Sequence, residues 1–293
     1  MTQRTIAVLM PGDMGHAVGR ALREHGHDVV TCLAGRGPHS HALAKQGGLR
    51  AVATLADVAI QAEMILSILP PAAALQQAQN IAAAMQAERR QPIYVDCNAI
   101  SPQTAKSVGE VIAGAGAPFI DAGIIGAPPG RGAGPRIYVS GADVTAMLAL
   151  DGQGFLVKQA GANIGDASAL KMAYAGLTKG TRTLHTAVLM AAQKLGVAET
   201  LFEEFEYSQK GALEAMRANV PFLPADSERW VGEMEEIART FAGVGVPSGF
   251  HDGAAEIFRL LARTPFASET RADMDRSRTL EAALAEYVKV LPG

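Results

Sequence analysis

The sequence predicts an α/β protein: a doubly wound, mostly parallel sheet across residues 1–164, followed by an all-helical domain across 165–293. Three observations support that expectation. Short apolar runs alternate with helical patterns up to about residue 164, and such alternation builds a parallel sheet covered by helices on both faces. The first run breaks into the turn Pro11-Gly12-Asp13-Met14-Gly15 and continues as a helix. After Gly165 strand signals stop, while helical periodicity persists toward the C-terminus.

Taken in order, strands are predicted at 5–10, 28–33, 64–69, 93–97, 118–122 and 136–140, with helices at 14–25, 40–47, 72–85, 102–113 and 143–150. Loops at the strand ends, 34–39, 67–71, 96–102 and 123–132, then gather on one functional edge. Asp166 can cap a helix that runs without proline to Leu195, roughly 45 Å at ~1.5 Å per residue. Its Leu170, Leu177, Leu184, Val188 and Leu195 fall on one stripe, which an amphipathic helix buries. A helix of that length exceeds the needs of a small helical domain, so dimerisation through it is expected. Further helices are predicted at 198–218, 227–242, 249–262 and 268–288.

Composition agrees with two folded domains. A chain of 293 residues exceeds what one core holds, and 48% hydrophobic against 19% charged residues argues for a large interior and against disorder. Aromatics make up only 5%, so the interior should be rich in small residues. The net charge of −3 and the lack of any basic block speak against nucleic acid as a partner. Cys32 and Cys97 form neither a CxxC nor a Cys/His spacing, so neither a metal site nor a disulfide framework is expected. No run reaches the ~18 apolar residues of a membrane span, and the opening run is too short for a signal peptide, which points to a cytoplasmic protein that does not engage membranes.

A strand entering a glycine turn before a helix presents free amide donors to a pyrophosphate. Gly12, Asp13, Met14 and Gly15 are therefore candidate dinucleotide ligands, although Met10 stands where the usual fingerprint has its first glycine and a plain strand-to-helix turn is the alternative. The end of the second strand, 32–40, has no acid to hold a ribose hydroxyl but has Arg36 to pair with a 2′-phosphate, which favours NADP over NAD unless Arg36 is simply a solvated loop residue. Lys171, beside an apolar stripe where two domains meet, could exchange a proton with a substrate oxygen, or be an ordinary surface lysine. Tyr174 and Thr178 follow on the same helical face, while Lys179 and Arg182 read as solvated. Gly123, Ile124, Ile125 and Gly126 offer backbone amides to a substrate carboxylate, or form an ordinary Gly/Pro loop. His251 and Trp230 are weaker candidates for a pocket.

In this order the motifs resemble those of the β-hydroxyacid dehydrogenases, a family related to 6-phosphogluconate dehydrogenase, over nearly the whole chain. Met10-Pro11-Gly12-Asp13-Met14-Gly15 is similar to the family's Gly-x-Gly-x-Met-Gly turn, and Gly26-His27 to its Gly-His before the second strand. Ser67-Ile68-Leu69-Pro70-Pro71 resembles the segment under the nicotinamide, and Asp96-Cys97-Asn98-Ala99-Ile100-Ser101-Pro102 the Asp-x-Ser-x-x-x-Pro strand end. Asp121-Ala122-Gly123-Ile124-Ile125-Gly126 falls at the substrate loop, and Gly165-Asp166-Ala167-Ser168-Ala169-Leu170-Lys171 at the helix start with the catalytic lysine.

The resemblance implies a Rossmann-type domain joined to a 6-phosphogluconate dehydrogenase-like helical domain, with Leu69, Pro70 and Asn98 near the cofactor, Lys171 as general acid/base, and a homodimer formed through the helical domain. Two departures stand out: Ile125 replaces the loop serine, and Ala175 replaces the asparagine one turn past the lysine. The 230–251 stretch resembles the helical domain of a poorly characterised branch. The leading expectation is an NADP-dependent oxidoreductase acting on a small hydroxy acid or related alcohol. An imine or keto-acid reductase using Tyr174, and an NADPH-binding sensor without turnover, are the alternatives.

Overall fold

A computed structural model describes residues 3–271 and 273–292. It consists of two compact units, Met1–Met172 and Ala173–Gly293. In the first unit, β1 (Thr5–Leu9), α1 (Asp13–Glu24), β2 (Asp28–Cys32), α2 (Pro38–Gly47), β3 (Arg50–Val52), α3 (Leu55–Gln61) and β4 (Met64–Ser67) are followed by α4 (Ala74–Glu88), β5 (Ile93–Asp96) and α5 (Pro102–Gly114). Then come β6 (Phe119–Ile125), β7 (Arg136–Ser140), α6 (Thr145–Leu148) and β8 (Leu156–Gly161). The long α7 (Asp166–Leu195) begins in this unit and continues into the second.

The strands form one sheet in the order β3-β2-β1-β4-β5-β6-β7-β8, parallel throughout except for the antiparallel β6–β7 pair. Strand order reverses between β1 and β4, and the carboxyl ends beside such a reversal are where doubly wound sheets bind ligands. Successive residues of the central strands feed two different cores. Ile6 and Val8 of β1, with Met64 and Leu66 of β4, pack on one face; Ala7 and Leu9, with Ile65, pack on the other. These strands read as continuous apolar runs because both their faces are buried.

The second unit holds α8 (Ala198–Ser208), α9 (Lys210–Asn219), α10 (Pro224–Ala242), α11 (Gly249–Leu261) and α12 (Leu280–Tyr287). Trp230 of α10 meets Phe258 of α11 edge-on at 5.3 Å between ring centres, and the buried Tyr287 hydroxyl donates to the Val220 carbonyl at 2.8 Å. No helix among the described residues is long and apolar enough to cross a membrane.

Several expectations need correction. β3, α3 and β8 were not expected. β3 and β8 lie at the two edges of the sheet and are largely exposed, so they lack the apolar run that marks a central strand. The signal for α3 is its capping box, in which Thr54 and Asp57 satisfy each other's backbone donors.

The strand expected at 118–122 runs on to Ile125, because Gly123, Ile124 and Ile125 pair with Tyr138, Ile137 and Arg136 of β7. Three of the four proposed substrate-loop residues are therefore strand. The helix expected at 198–218 breaks at Gln209, whose φ of −138° and ψ of 39° leave helical space. Of the helix expected at 268–288 only α12 forms, since the Asp273 and Asp275 carboxylates take the amides of Thr270 and Ser277 in tight turns, and Thr279 caps α12; residue 272 lies outside the described residues.

The stripe expected to be buried on α7 is exposed: Leu177 is 71% exposed, Leu184 48% and Leu195 75%, and Leu170 and Val188 are exposed as well. Periodicity identifies an apolar face but not what covers it.

Candidate cofactor and active site

The β1–α1 turn is built on one strained residue and two close approaches. Met10 has a φ of 61°, the left-handed conformation that glycine adopts freely and other residues at a cost of about 1 kcal/mol. The Gly12 amide donates to the Met10 carbonyl at 2.7 Å, closing the turn. The Met10 side chain packs on the core that holds Leu9, which explains how the position tolerates the strain. A Cβ on Gly15 would come 2.9 Å from the Met10 oxygen, so this glycine lets α1 lie close to β1.

A Cβ on Gly12 would meet nothing within 4 Å, and no side chain caps α1. The open space and the uncapped first-turn amides of Asp13, Met14 and Gly15 fit a pyrophosphate. After β2 the chain turns through Gly35 at φ 71°, with the Arg36 amide bonded to the Leu33 carbonyl at 3.0 Å. α2 likewise starts without a side-chain cap, one residue beyond Gly37.

At the ends of β4 and β5 a buried network locks two loops together. The Asn98 backbone and side-chain amides both donate to Asp96, each at 2.9 Å, and the side-chain amide also reaches the Ser67 hydroxyl at 3.2 Å. Its carbonyl oxygen accepts the Leu69 amide. Asn98 thus spends its polar groups inside the protein and sets the backbone of Leu69, while Pro70 is exposed beside it. Burial pushes the Asp96 carboxyl up to about 7, against the hydrogen bonds from Asn98 and with added repulsion from Asp121.

β6 and α7 meet at a second buried carboxylate. Asp121, with no exposed surface, accepts the amides of Gly165 and Ser168 at 3.0 Å each, the Ser168 hydroxyl at 2.6 Å and the Ser140 hydroxyl at 3.0 Å. The Ser140 hydroxyl also takes the Ala167 amide at 2.9 Å. The first donors of α7 are therefore capped from the sheet. Asp166, expected to be the cap, instead accepts the upstream Asn163 amide at 3.0 Å.

A Cβ on Gly123 would come 2.8 Å from the Lys171 Cβ and 2.9 Å from the Ala167 carbonyl, so glycine is what allows strand and helix to touch. The half-buried Lys171 ammonium donates to the Ile124 carbonyl at 2.7 Å. Lys171 and the 123–126 segment are thus brought together, as their motifs imply, but through backbone: the Ile124 and Ile125 side chains are buried.

Two other candidates belong to the second unit. Tyr174 is exposed. His251 is buried, its ring tilted at 56° to that of Phe241 with the centres 4.4 Å apart, and close to Gly176 and Gly180 of α7; burial lowers its pKa. Asp96, Asp121, Ser140 and Ser168 were not singled out from the sequence, although both aspartates sit inside quoted motifs. An acid within an apolar strand was the signal available.

A mostly parallel sheet with an uncapped glycine turn beside its switch point is the arrangement of a dinucleotide-binding domain. Residues 5–151 match the NAD binding domain of 6-phosphogluconate dehydrogenase, and the chain belongs to that family. Residues 192–261 match DUF1932, a domain of unknown function.

The chain is 29% identical to MTH1747, a conserved protein of unknown function described as structurally similar to 3-hydroxyacid dehydrogenases, with a TM-score of 0.64 over 88% of this chain and 98% of that one. It shares the fold of Mycobacterium tuberculosis 3-hydroxyisobutyrate dehydrogenase, seen with L-serine, at 19% identity and a TM-score of 0.69 over 97% and 99% of the two chains. An uncharacterized 28.5 kDa protein of Methanothermus fervidus is 27% identical over 182 residues, 62% of this chain and 68% of that protein.

Proposed function

We propose that this protein is an NADP-dependent oxidoreductase that transfers a hydride between nicotinamide and the carbinol carbon of a small hydroxy acid or related alcohol, with Lys171 as general acid/base. The observation behind this reading is the Lys171 ammonium anchored on the Ile124 carbonyl at 2.7 Å, beside the strand end that corresponds to the family's substrate segment. The bound nicotinamide supplies or takes up the hydride. The amides from Asp13 to Gly15 would hold the pyrophosphate and Arg36 a 2′-phosphate, while Asn98, which fixes the Leu69 backbone, would keep the Leu69–Pro70 segment in place to receive the nicotinamide. Lys171 would donate a proton to the carbonyl oxygen in reduction and accept the hydroxyl proton in oxidation. With isoleucine at position 125, a substrate carboxylate finds no side-chain hydroxyl there, so its donors would come from elsewhere or the substrate would be less polar at that point.

The test of cofactor choice is titration with NADPH and NADH, followed by a screen of hydroxy acids with the preferred nucleotide. Arg36→Ser is expected to weaken NADPH binding about 10–100-fold and to leave NADH within a few fold, the loss of one charge-assisted phosphate contact. Equal losses for both nucleotides would contradict the assignment of Arg36, and no binding of either would end the oxidoreductase reading.

The protein acts as a homodimer in this proposal, paired through the exposed Leu177, Leu184, Val188 and Leu195 face of α7. Sedimentation of the full chain is expected to give a dimer, and the Leu177→Glu, Leu184→Glu double variant a folded monomer. A monomeric wild type, or an unaltered dimer in the variant, would refute this interface.

A further inference from the structure

The second unit contains a charge cluster that dinucleotide chemistry does not use. Trp230, 5% exposed, has four cations around its ring: Lys179 Nζ at 5.0 Å from the centroid, and the guanidinium carbons of Arg182, Arg229 and Arg271 at 5.6, 5.9 and 5.9 Å. Cation–π contacts ordinarily occur about once per 70–80 residues, so four on one indole mark a concentration of charge with some purpose.

Two carboxylates pair with three of these cations. Asp226, 7% exposed, pairs with Arg229 at 2.8 Å and with Arg271. Glu233, 4% exposed, pairs with Lys179 and with Arg229 at 3.2 Å. Both acids are thus shared between two cations.

Arg182 is the cation of this cluster that forms no ion pair with either carboxylate. Its side chain makes no hydrogen bond or ion pair with any described residue, and it is half-buried. Burial and the neighbouring Arg271 charge both lower its pKa, opposed in part by Asp226 and Tyr174. Holding a guanidinium partly out of water beside another one is costly unless an anion completes the arrangement. The planar fork of arginine matches carboxylate and phosphate oxygens, and the Arg182 guanidinium lies over the Trp230 ring with its carbon 5.6 Å from the centroid.

We propose that Arg182 and Arg271, seated on Trp230, form a binding site for a doubly charged oxyanion: a phosphate monoester or a dicarboxylate. The site lies wholly within the second unit and does not rest on the oxidoreductase reading.

Trp230 is the only tryptophan in the chain, so its emission reports this site directly. The full chain without nucleotide is titrated with inorganic phosphate, malonate and acetate at ionic strength held constant with sodium chloride. A saturable change in Trp230 emission with phosphate or malonate, and a much weaker one with acetate, is the expected result. Phosphate alone would identify a phosphate monoester as the natural ligand, and malonate alone a dicarboxylate.

Arg182→Gln should weaken that binding at least about tenfold, the loss of a charge-assisted fork. It should also leave Tm unchanged or higher without ligand, because a like-charge contact is relieved, and abolish the rise in Tm that phosphate causes in the wild type. NADPH affinity, read by nicotinamide emission, should not change. The absence of a saturable response to either dianion, an acetate response as strong as theirs, or equal dianion affinity in Arg182→Gln would each overturn the proposal. So would a fall in Tm for Arg182→Gln with no phosphate effect in the wild type, which would make Arg182 merely a cover for the indole.

Discussion

Lys171→Met is expected to lower turnover on an identified substrate by about 10²–10⁴-fold, the usual contribution of a positioned acid or base, while nucleotide affinity stays within a few fold. Methionine keeps most of the lysine stem and can occupy the same space against Gly123, where the Lys171 Cβ lies 2.8 Å from the position a Cβ would take. What is lost is the ammonium that donates to the Ile124 carbonyl. The pattern of loss matters as much as its size. Removal of a proton donor that acts in the transition state should reduce kcat and kcat/KM together, whereas removal of a substrate anchor should raise KM. Turnover within a few fold of wild type would refute the role given to Lys171. It would leave Tyr174 as the next donor to test, and a Tyr174→Phe variant is the corresponding measurement.

Asp121→Ala is expected to destabilise the protein by ~3–5 kcal/mol, read as a shift in urea midpoint at unchanged slope. The carboxylate is completely buried and accepts four hydrogen bonds, two of them from the backbone amides of Gly165, just before α7, and Ser168, in its first turn. Alanine leaves these donors without acceptors in a site water does not reach, and an orphaned buried donor costs more than the net worth of the bond it made. Asp121→Asn keeps the volume but turns an amide toward some of the same donors, so it should fall between wild type and alanine.

The functional consequence would exceed the loss of stability. Asp121 fixes the start of the helix that carries Lys171, so activity should drop even under conditions where the Asp121→Asn variant is fully folded. A midpoint shift equivalent to less than ~1 kcal/mol for the alanine variant would show that α7 is held by packing alone.

Much of the first unit was legible in the sequence because its signals are local. The central strands are apolar on both faces, the helices between them are periodic, and Gly12 and Gly15 stand at the turn where backbone must approach closely. Lys171 and the 123–126 segment were found through their order along the chain. The misses have a common cause. β3 and β8 are edge strands with little apolar character, and the break at Gln209 leaves no glycine or proline at that position to announce it. The α7 stripe was recognised as apolar, but its exposure depends on neighbours that no local pattern describes.

The amino-acid sequence alone determined the alternation of strands and helices, the glycine turn at the end of β1 and the long uninterrupted helix, since each follows from steric preference and hydrophobic periodicity within a few residues. Tertiary structure alone decided which groups those elements brought together. Asp121 reaches Gly165 and Ser168 across 44 and 47 residues, and Arg182 joins Arg271 on the face of Trp230. Such pairings depend on strand order, register and helix packing. The energy of a buried charge is set by whichever partners that packing places next to it.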